Sequence, residues 1–206
     1  MADITLYHSP ASRAFIAYWL LEELGTPFRV RTIDLRKGEQ KSPEYRRINP
    51  MGKVPALTDG KVTVTENPAI CLYLADRYGY GRLAPKIEAP ERGAYLRWMV
   101  FSTAVLEPAA NLKSVEAHQP GFGAGWGELS TVVETVETAV ADGPWLLGAT
   151  FSAADVMLGS VISMARFNKL LPDSDPIDDY HERLAQRPAY QRASDATWPA
   201  SLLGDG

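Results

Sequence analysis

The grammar of the chain changes once, near residue 80, and that change limits the fold more than any other feature. Over the first eighty residues short strand and helix patterns alternate; beyond them nothing reads as a strand, and apolar residues recur at helical spacing. "DITLY" reads as a strand. "SRAFIAYWLLEEL" sets apolar residues at 15, 16, 19, 20 and 24 ahead of Gly25, the pattern of a helix closed by a left-handed glycine. "FRVRTID" alternates again, and the charged loop "LRKGEQKSPEYRRINP" follows, with room for a short helix. "VPALTD", Gly60 and "KVTVTE" predict a hairpin whose Asp-Gly turn suits the primed types. "NPAICLYLADRYG" predicts a helix with Pro68 in the first turn and Gly79 past the end. The first strand, helix and second strand would form a right-handed parallel unit, to which the hairpin adds two antiparallel strands.

Past "GYGRLAPKIEAPER", a Gly- and Pro-punctuated linker, Tyr95, Trp98, Met99, Ser102, Val105 and Leu106 form one helical stripe. Leu129, Val132, Val133, Val136 and Val140 form another. Pro108 should kink or end the first of these helices. "SAADVMLGSVISMARF" is apolar nearly all round, as the central helix of a bundle would be, and opens on Ser152 to Asp155, close to a capping box with Asp in place of Glu. The expected architecture is an α/β thioredoxin-like N-terminal domain (1–80), a linker (81–90) and an all-α helical-bundle C-terminal domain (91–206). A chain of this length buries roughly 70% of its unfolded surface, so no disulfide or metal staple is required.

Composition excludes several classes. Net charge is −4, with Lys and Arg interspersed among Asp and Glu, which argues against a nucleic-acid binder. Cys71 is the single cysteine, inside the apolar run "AICLYLA" where it reads as a buried small hydrophobe, so no intramolecular disulfide or thiolate cluster can form. His8, His118 and His181 are scattered, and no metal site is expected. "MADITLYHSP" has neither a basic nor an apolar leader region, and no window nears 18 uninterrupted apolar residues. A soluble, cytoplasmic protein without membrane partners is expected.

Three signals carry chemistry. In "NPMGKVPAL" the turn before Pro55 can hold a cis bond, leaving the Val54 N–H and C=O to pair with a peptide ligand as a further strand. The plain alternative is a trans proline starting an edge strand. In "TENPAICLYLAD" Glu66 and Asn67 sit at a helix mouth, where free N–H groups attract a carboxylate and Glu66 can meet an ammonium; the alternative is a capped helix beside a solvated acid. The third is "LYHSPASRAF", which crowds Tyr7, Ser9, Ser12 and Arg13 into a turn between strand and helix. If these segments share one end of the sheet, they line one groove.

With "NPMGKVPAL", "ENPAICLYLADRY" and "WLLGATFSAADVMLG" together, the chain resembles the cytosolic glutathione S-transferases over essentially its whole length, of a bacterial kind with a serine-type thiol site. The resemblance implies the glutathione transferase fold, glutathione as co-substrate, a small hydrophobic electrophile as partner, a detoxification role and a homodimer. Asn67 departs from the serine or threonine that the family commonly uses for the γ-glutamyl carboxylate; its amide NH₂ and backbone N–H can still donate.

Glutathione brings its own thiol, so the protein needs a donor that stabilises the thiolate. A thiol of pKa about 8.5 is only a few per cent ionised at neutral pH, and each unit of lowering corresponds to about 1.4 kcal/mol, within reach of one hydrogen bond to a charged acceptor. Ser12 matches the serine of serine-type relatives at a helix start, Tyr7 matches the tyrosine of other classes, and Ser9 lies between them. Arg13 either reaches the ligand or pairs with a surface acid. Gln40, Lys41 and Lys53 resemble positions that meet the glycine end of glutathione. Trp98, Phe101, Ser102 and Val105, with Trp198, are candidates for second-substrate walls or plain core. A glutathione-dependent isomerase, peroxidase or dehalogenase, or a non-catalytic binding protein, would share these features.

Overall fold

The computed structural model describes residues 2–114 and 124–198; His118 lies outside them. The described chain divides into two compact units, Met1–Gly79 with Arg187–Gly206, and Tyr80–Gln186. The first opens with β1 (Ile4–His8), α1 (Ala14–Leu24) and β2 (Phe28–Thr32), continues through the short α2 (Pro43–Arg46), then the hairpin β3 (Ala56–Asp59) and β4 (Val62–Thr65), and reaches α3 (Asn67–Tyr78). The sheet order is β2-β1-β3-β4. β1 runs parallel to β2 and antiparallel to β3, and β4 is antiparallel to β3. β1 is therefore central, which is why Ile4 and Leu6 are as buried as any core residue. Gly25 ends α1 at φ 64, as the sequence predicts. The hairpin turn falls one residue later than the Asp-Gly pair suggests: Asp59 pairs with Val62, so Gly60 at φ 58 and Lys61 are the turn residues. Asp59 instead accepts hydrogen bonds from the Tyr73 and Tyr78 hydroxyls, which ties the hairpin to α3.

The second unit comprises α4 (Arg92–Phe101), α5 (Glu107–Ser114), α6 (Leu129–Ala141), α7 (Ala153–Phe167) and α8 (Asp175–Ala185). Among its described residues only isolated bridges stand in for strands. Pro108 sits in the first turn of α5, and the helical path reaches it through a π-helical stretch, Ser102–Leu106, whose wider turn accommodates a residue that cannot supply an i→i−4 bond. α7 is buried along most of its length and starts on a complete capping box between Ser152 and Asp155. No described helix is long and apolar enough to cross a membrane.

The last described helix, α9 (Pro188–Thr197), belongs to the first unit and lies on α1. Tyr190 packs edge-on against Phe15 and Trp19. Arg187 grips Glu23 with two hydrogen bonds, of 2.6 and 2.8 Å, and Glu23 also accepts from Trp19 Nε1 at 2.9 Å. The Glu23 side chain is 8% exposed, so this pair is more than a surface contact. Glu23→Gln is expected to lower unfolding stability by about 1 to 2 kcal/mol, since one arm of the Arg187 fork then faces an amide NH₂; a denaturant midpoint equal to wild type would show that the pair contributes nothing.

Candidate functional site at the C-terminal end of the central strand

Strand register places three segments side by side. Tyr7 pairs with Ala56, and Ala56 pairs with Thr65, so the loop after β1, the turn before β3 and the start of α3 all emerge at one end of the sheet. The connection is also direct: Asn67 Nδ2 donates to the Arg13 carbonyl at 3.1 Å. Two of the described non-glycine residues with left-handed φ lie in these segments, Ala11 at 52° and Glu66 at 67°. Backbone held in such sparsely populated regions clusters at functional sites.

In the first segment Ser12 is half-buried and Ser9 buried. The Ser12 hydroxyl donates to the Ser9 carbonyl at 2.6 Å and accepts from the Ala14 N–H at 3.2 Å. Arg13 is exposed at the mouth of α1. The Tyr7 ring is packed with Ile33, Tyr45 and Ala56, edge-on to Tyr45 at 5.8 Å, with the Arg31 guanidinium 5.6 Å from its centre. His8, considered in the sequence only as a possible ligand, is buried and shares a hydrogen bond of 3.0 Å with Thr197 Oγ1; burial lowers its pKa to about 4.

In the second segment the Val54–Pro55 bond is cis. Among the described residues nothing hydrogen-bonds to the Val54 N–H or C=O. The preceding carbonyl, of Lys53, is held twice, by the Tyr45 hydroxyl at 2.6 Å and by Asn49 Nδ2 at 2.8 Å. Neither residue was singled out in the sequence, although "NPMG" marks a turn and buried asparagines fix turns through their side chains. Gly52 is required here: it has φ +62, and a Cβ would lie 2.8 Å from the Gln40 carbonyl oxygen. Lys53 and Lys41 are exposed. Gln40 reaches the Leu35 carbonyl at 3.4 Å with Nε2, while its Oε1 is buried without a partner among the described residues.

At the third segment Glu66 is exposed and Asn67 buried. Pro68 supplies no N–H, and the Ile70 N–H is taken by the Glu66 carbonyl. The N–H groups of Asn67 and Ala69 are the donors left at this helix mouth among the described residues. The Asn67 side chain faces two ways, its NH₂ on Arg13 and its Oδ1 buried without a donor among the described residues.

The candidates for second-substrate walls divide between the units. Trp198 follows α9 in the first; the other four lie in the second. Trp98 is buried against Phe101, with ring centres 5.1 Å apart, and the exposed Arg97 lies over both rings. Ser102, fully buried, donates to the Trp98 carbonyl at 2.7 Å, and Ser102 and Val105 fall in the π-helical stretch. Cys71 is fully buried and burial pushes its thiol pKa up, so it offers no thiolate. Among the described residues no group of three or more His, Cys, Asp and Glu could hold a metal ion.

Two family models match the chain: Glutathione S-transferase, N-terminal domain, over residues 2–76, and Glutathione S-transferase, C-terminal domain, over residues 92–191. Glutathione S-transferase F10 of Arabidopsis thaliana is 29% identical, covering 93% of this chain and 96% of the relative. The disulfide-bond oxidoreductase YfcG of Escherichia coli K12 is 28% identical, covering 92% of this chain and 94% of the relative. Among solved structures, the glutathione transferase URE2P6 of Phanerochaete chrysosporium, in complex with oxidized glutathione, is 27% identical and superposes with a TM-score of 0.77, covering 95% of this chain and 96% of that one. The chain belongs to the glutathione S-transferase family, and its mixed four-stranded sheet domain followed by a helical domain is the fold of that family.

Proposed function

We infer that this protein is a glutathione S-transferase, which lowers the pKa of the glutathione thiol at the end of β1 and directs the thiolate onto a small apolar electrophile. The reading rests on the register that gathers the hydroxyl loop, the Val54 peptide and the α3 mouth at one sheet end. Each segment meets a different part of the tripeptide. The Val54 N–H and C=O pair with its backbone in strand fashion, and the Asn67 and Ala69 N–H groups meet the γ-glutamyl carboxylate. The Glu66 carboxylate takes the ammonium. Gln40, Lys41 and Lys53 serve the glycine end and Arg13 adds positive field; Trp98 and Ser102, buried in the helical unit, are core, which leaves the half-buried Phe101 and Val105 of that unit as candidates for the electrophile. In the reaction the thiol proton leaves to water, sulfur bonds to the electrophilic carbon, and the leaving group departs with the electron pair of its broken bond.

Ser12 is the assigned thiolate donor. A hydroxyl has one proton, and here it rests on the Ser9 carbonyl. Turning it to sulfur gives up a neutral hydrogen bond of about 1 kcal/mol for a charge-assisted one of about 1.5 to 3 kcal/mol, so the exchange favours the thiolate. Ser12→Ala should lower turnover ten-fold or more with little change in glutathione binding. Equal turnover in that variant, with Tyr7→Phe impaired, would transfer the role to Tyr7; both unimpaired would leave Ser9. Ultraviolet spectra of added glutathione across pH test the site itself: a thiolate band well below the free thiol's pKa is expected, and no band at saturation would overturn the reading. A homodimer is proposed as the working form. Leu96 at 40% and Val100 at 55% exposure, one turn apart on α4, are the kind of apolar surface it would cover; light scattering after size exclusion tests it.

A further inference from the structure

We propose that Thr197, the last residue of α9, is a positioning residue for the thiol site, so that the C-terminal helix sets the geometry of the hydroxyl loop. This rests on the assignment of thiolate stabilisation to that loop. Thr197 holds the loop at two points from a sequence distance of almost the whole chain. Its carbonyl accepts the Ala11 N–H at 2.8 Å, and its Oγ1 shares a hydrogen bond of 3.0 Å with His8 Nε2. Ala11 is the loop residue with left-handed φ, a conformation disfavoured for any side chain with a Cβ and kept only where neighbouring contacts dictate it. The bonds, at His8 and Ala11, bracket Ser9 and end one residue before Ser12, which is joined to Ser9 by its own hydroxyl.

Thr197 is fully buried, so it acts through the loop and not on the ligand. It can dictate the loop's position because α9 is itself fixed. Arg187 on Glu23, Arg192 on Glu22 and Tyr190 against Phe15 and Trp19 lock the helix to α1 independently of the loop. The side of the loop beyond Ser12 is held in turn by Asn67 on the Arg13 carbonyl. With both sides fixed, the distance from Ser12 Oγ to a sulfur in the groove is a property of the scaffold, as a thiolate donor requires.

The test compares wild type, Thr197→Val and the conservative Thr197→Ser. Thr197→Val keeps the shape and removes the hydroxyl. It should raise by about one unit the pH at which the thiolate band of bound glutathione is half developed, and lower kcat five- to ten-fold toward an activated aryl halide. The glutathione concentration for half saturation should move less than two-fold, and Thr197→Ser should behave as wild type. A Thr197→Val protein with wild-type band and kcat would overturn the positioning role while leaving the site assignment intact. No band in wild type would overturn the site assignment, and this proposal with it. Should Thr197→Val not fold, amide exchange in wild type decides: the Ala11 N–H is expected to exchange as slowly as the amides of α9, and fast exchange there with a protected helix would overturn the proposal.

Discussion

Asp155→Ala is expected to lose about 4 kcal/mol of unfolding stability at pH 7, from a group that is no candidate for substrate contact. The Asp155 carboxylate is fully buried at the start of α7 and accepts four hydrogen bonds. Oδ1 takes the Leu146 N–H at 2.8 Å and the Tyr180 hydroxyl at 3.0 Å; Oδ2 takes the Ser152 N–H at 2.8 Å and the Ser152 hydroxyl at 3.0 Å. Burial pushes the carboxyl pKa up, while the four donors pull the other way by favouring the ionised form. Alanine leaves two backbone N–H groups that cannot turn elsewhere, at about 1 to 3 kcal/mol each, and removes half of the capping box, worth about 1 kcal/mol more. Against a total stability of about 5 to 15 kcal/mol, that loss is large enough to make the helical unit marginal. Asp155→Asn is expected to be nearly as damaging, because its NH₂ must face two of the four donors. Equilibrium unfolding followed by the fluorescence of Trp145, which packs beside Tyr180, measures both. A loss below about 1 kcal/mol for Asp155→Ala would mean that the orphaned donors find other acceptors.

That capping box was legible because its parts are three residues apart, and local spacing is what a sequence displays. The same holds for Gly25 closing α1, for the β1-α1-β2 unit, for the hairpin, and for α7 as a buried helix. The three site segments could also be read, each from its own turn or helix-start chemistry, and the conjecture that they share one sheet end follows from strand order. What could not be read is what each side chain does with its hydrogen bonds. Nothing in "SPASR" says that the Ser12 proton rests on Ser9, and nothing in "TENPA" says that the Asn67 amide is turned toward Arg13. Pro108 shows the limit from the other side. Its missing N–H predicts an interruption, but whether the chain breaks, kinks or widens into a π turn depends on packing around Ser102 and Leu106, both buried. The grip of Thr197 on the loop had no local signal at all, since its partners lie at the opposite end of the sequence.

His8 makes that long-range contact sensitive to acid. Going from pH 7 to pH 5 is expected to remove about 2 kcal/mol of stability through this residue alone. An exposed histidine in the unfolded chain titrates near 6.5, whereas burial lowers the folded value to about 4. Between those values the unfolded chain binds a proton that the folded chain refuses, so stability rises with pH across the window. The contribution is fully present above about 6.5. It is lost at about 1.4 kcal/mol per unit as pH falls, and levels off near pH 4 at a total of about 3 kcal/mol. Asp155, whose folded pKa is raised, shifts stability the opposite way on acidification and His181, lowered by burial, shifts it the same way, so the slope of wild type alone mixes several groups. The difference between wild type and His8→Gln isolates His8, because glutamine carries no proton to exchange and leaves Asp155 and His181 untouched. The two unfolding curves should therefore diverge in stability change by about 2 kcal/mol between pH 7 and pH 5. Parallel pH dependence would mean that His8 titrates alike folded and unfolded. Since His8 Nε2 shares its hydrogen bond with Thr197 Oγ1, protonation puts a charge on the buried ring that helps hold the hydroxyl loop, and in the proposed transferase, activity should fall over the same acid range.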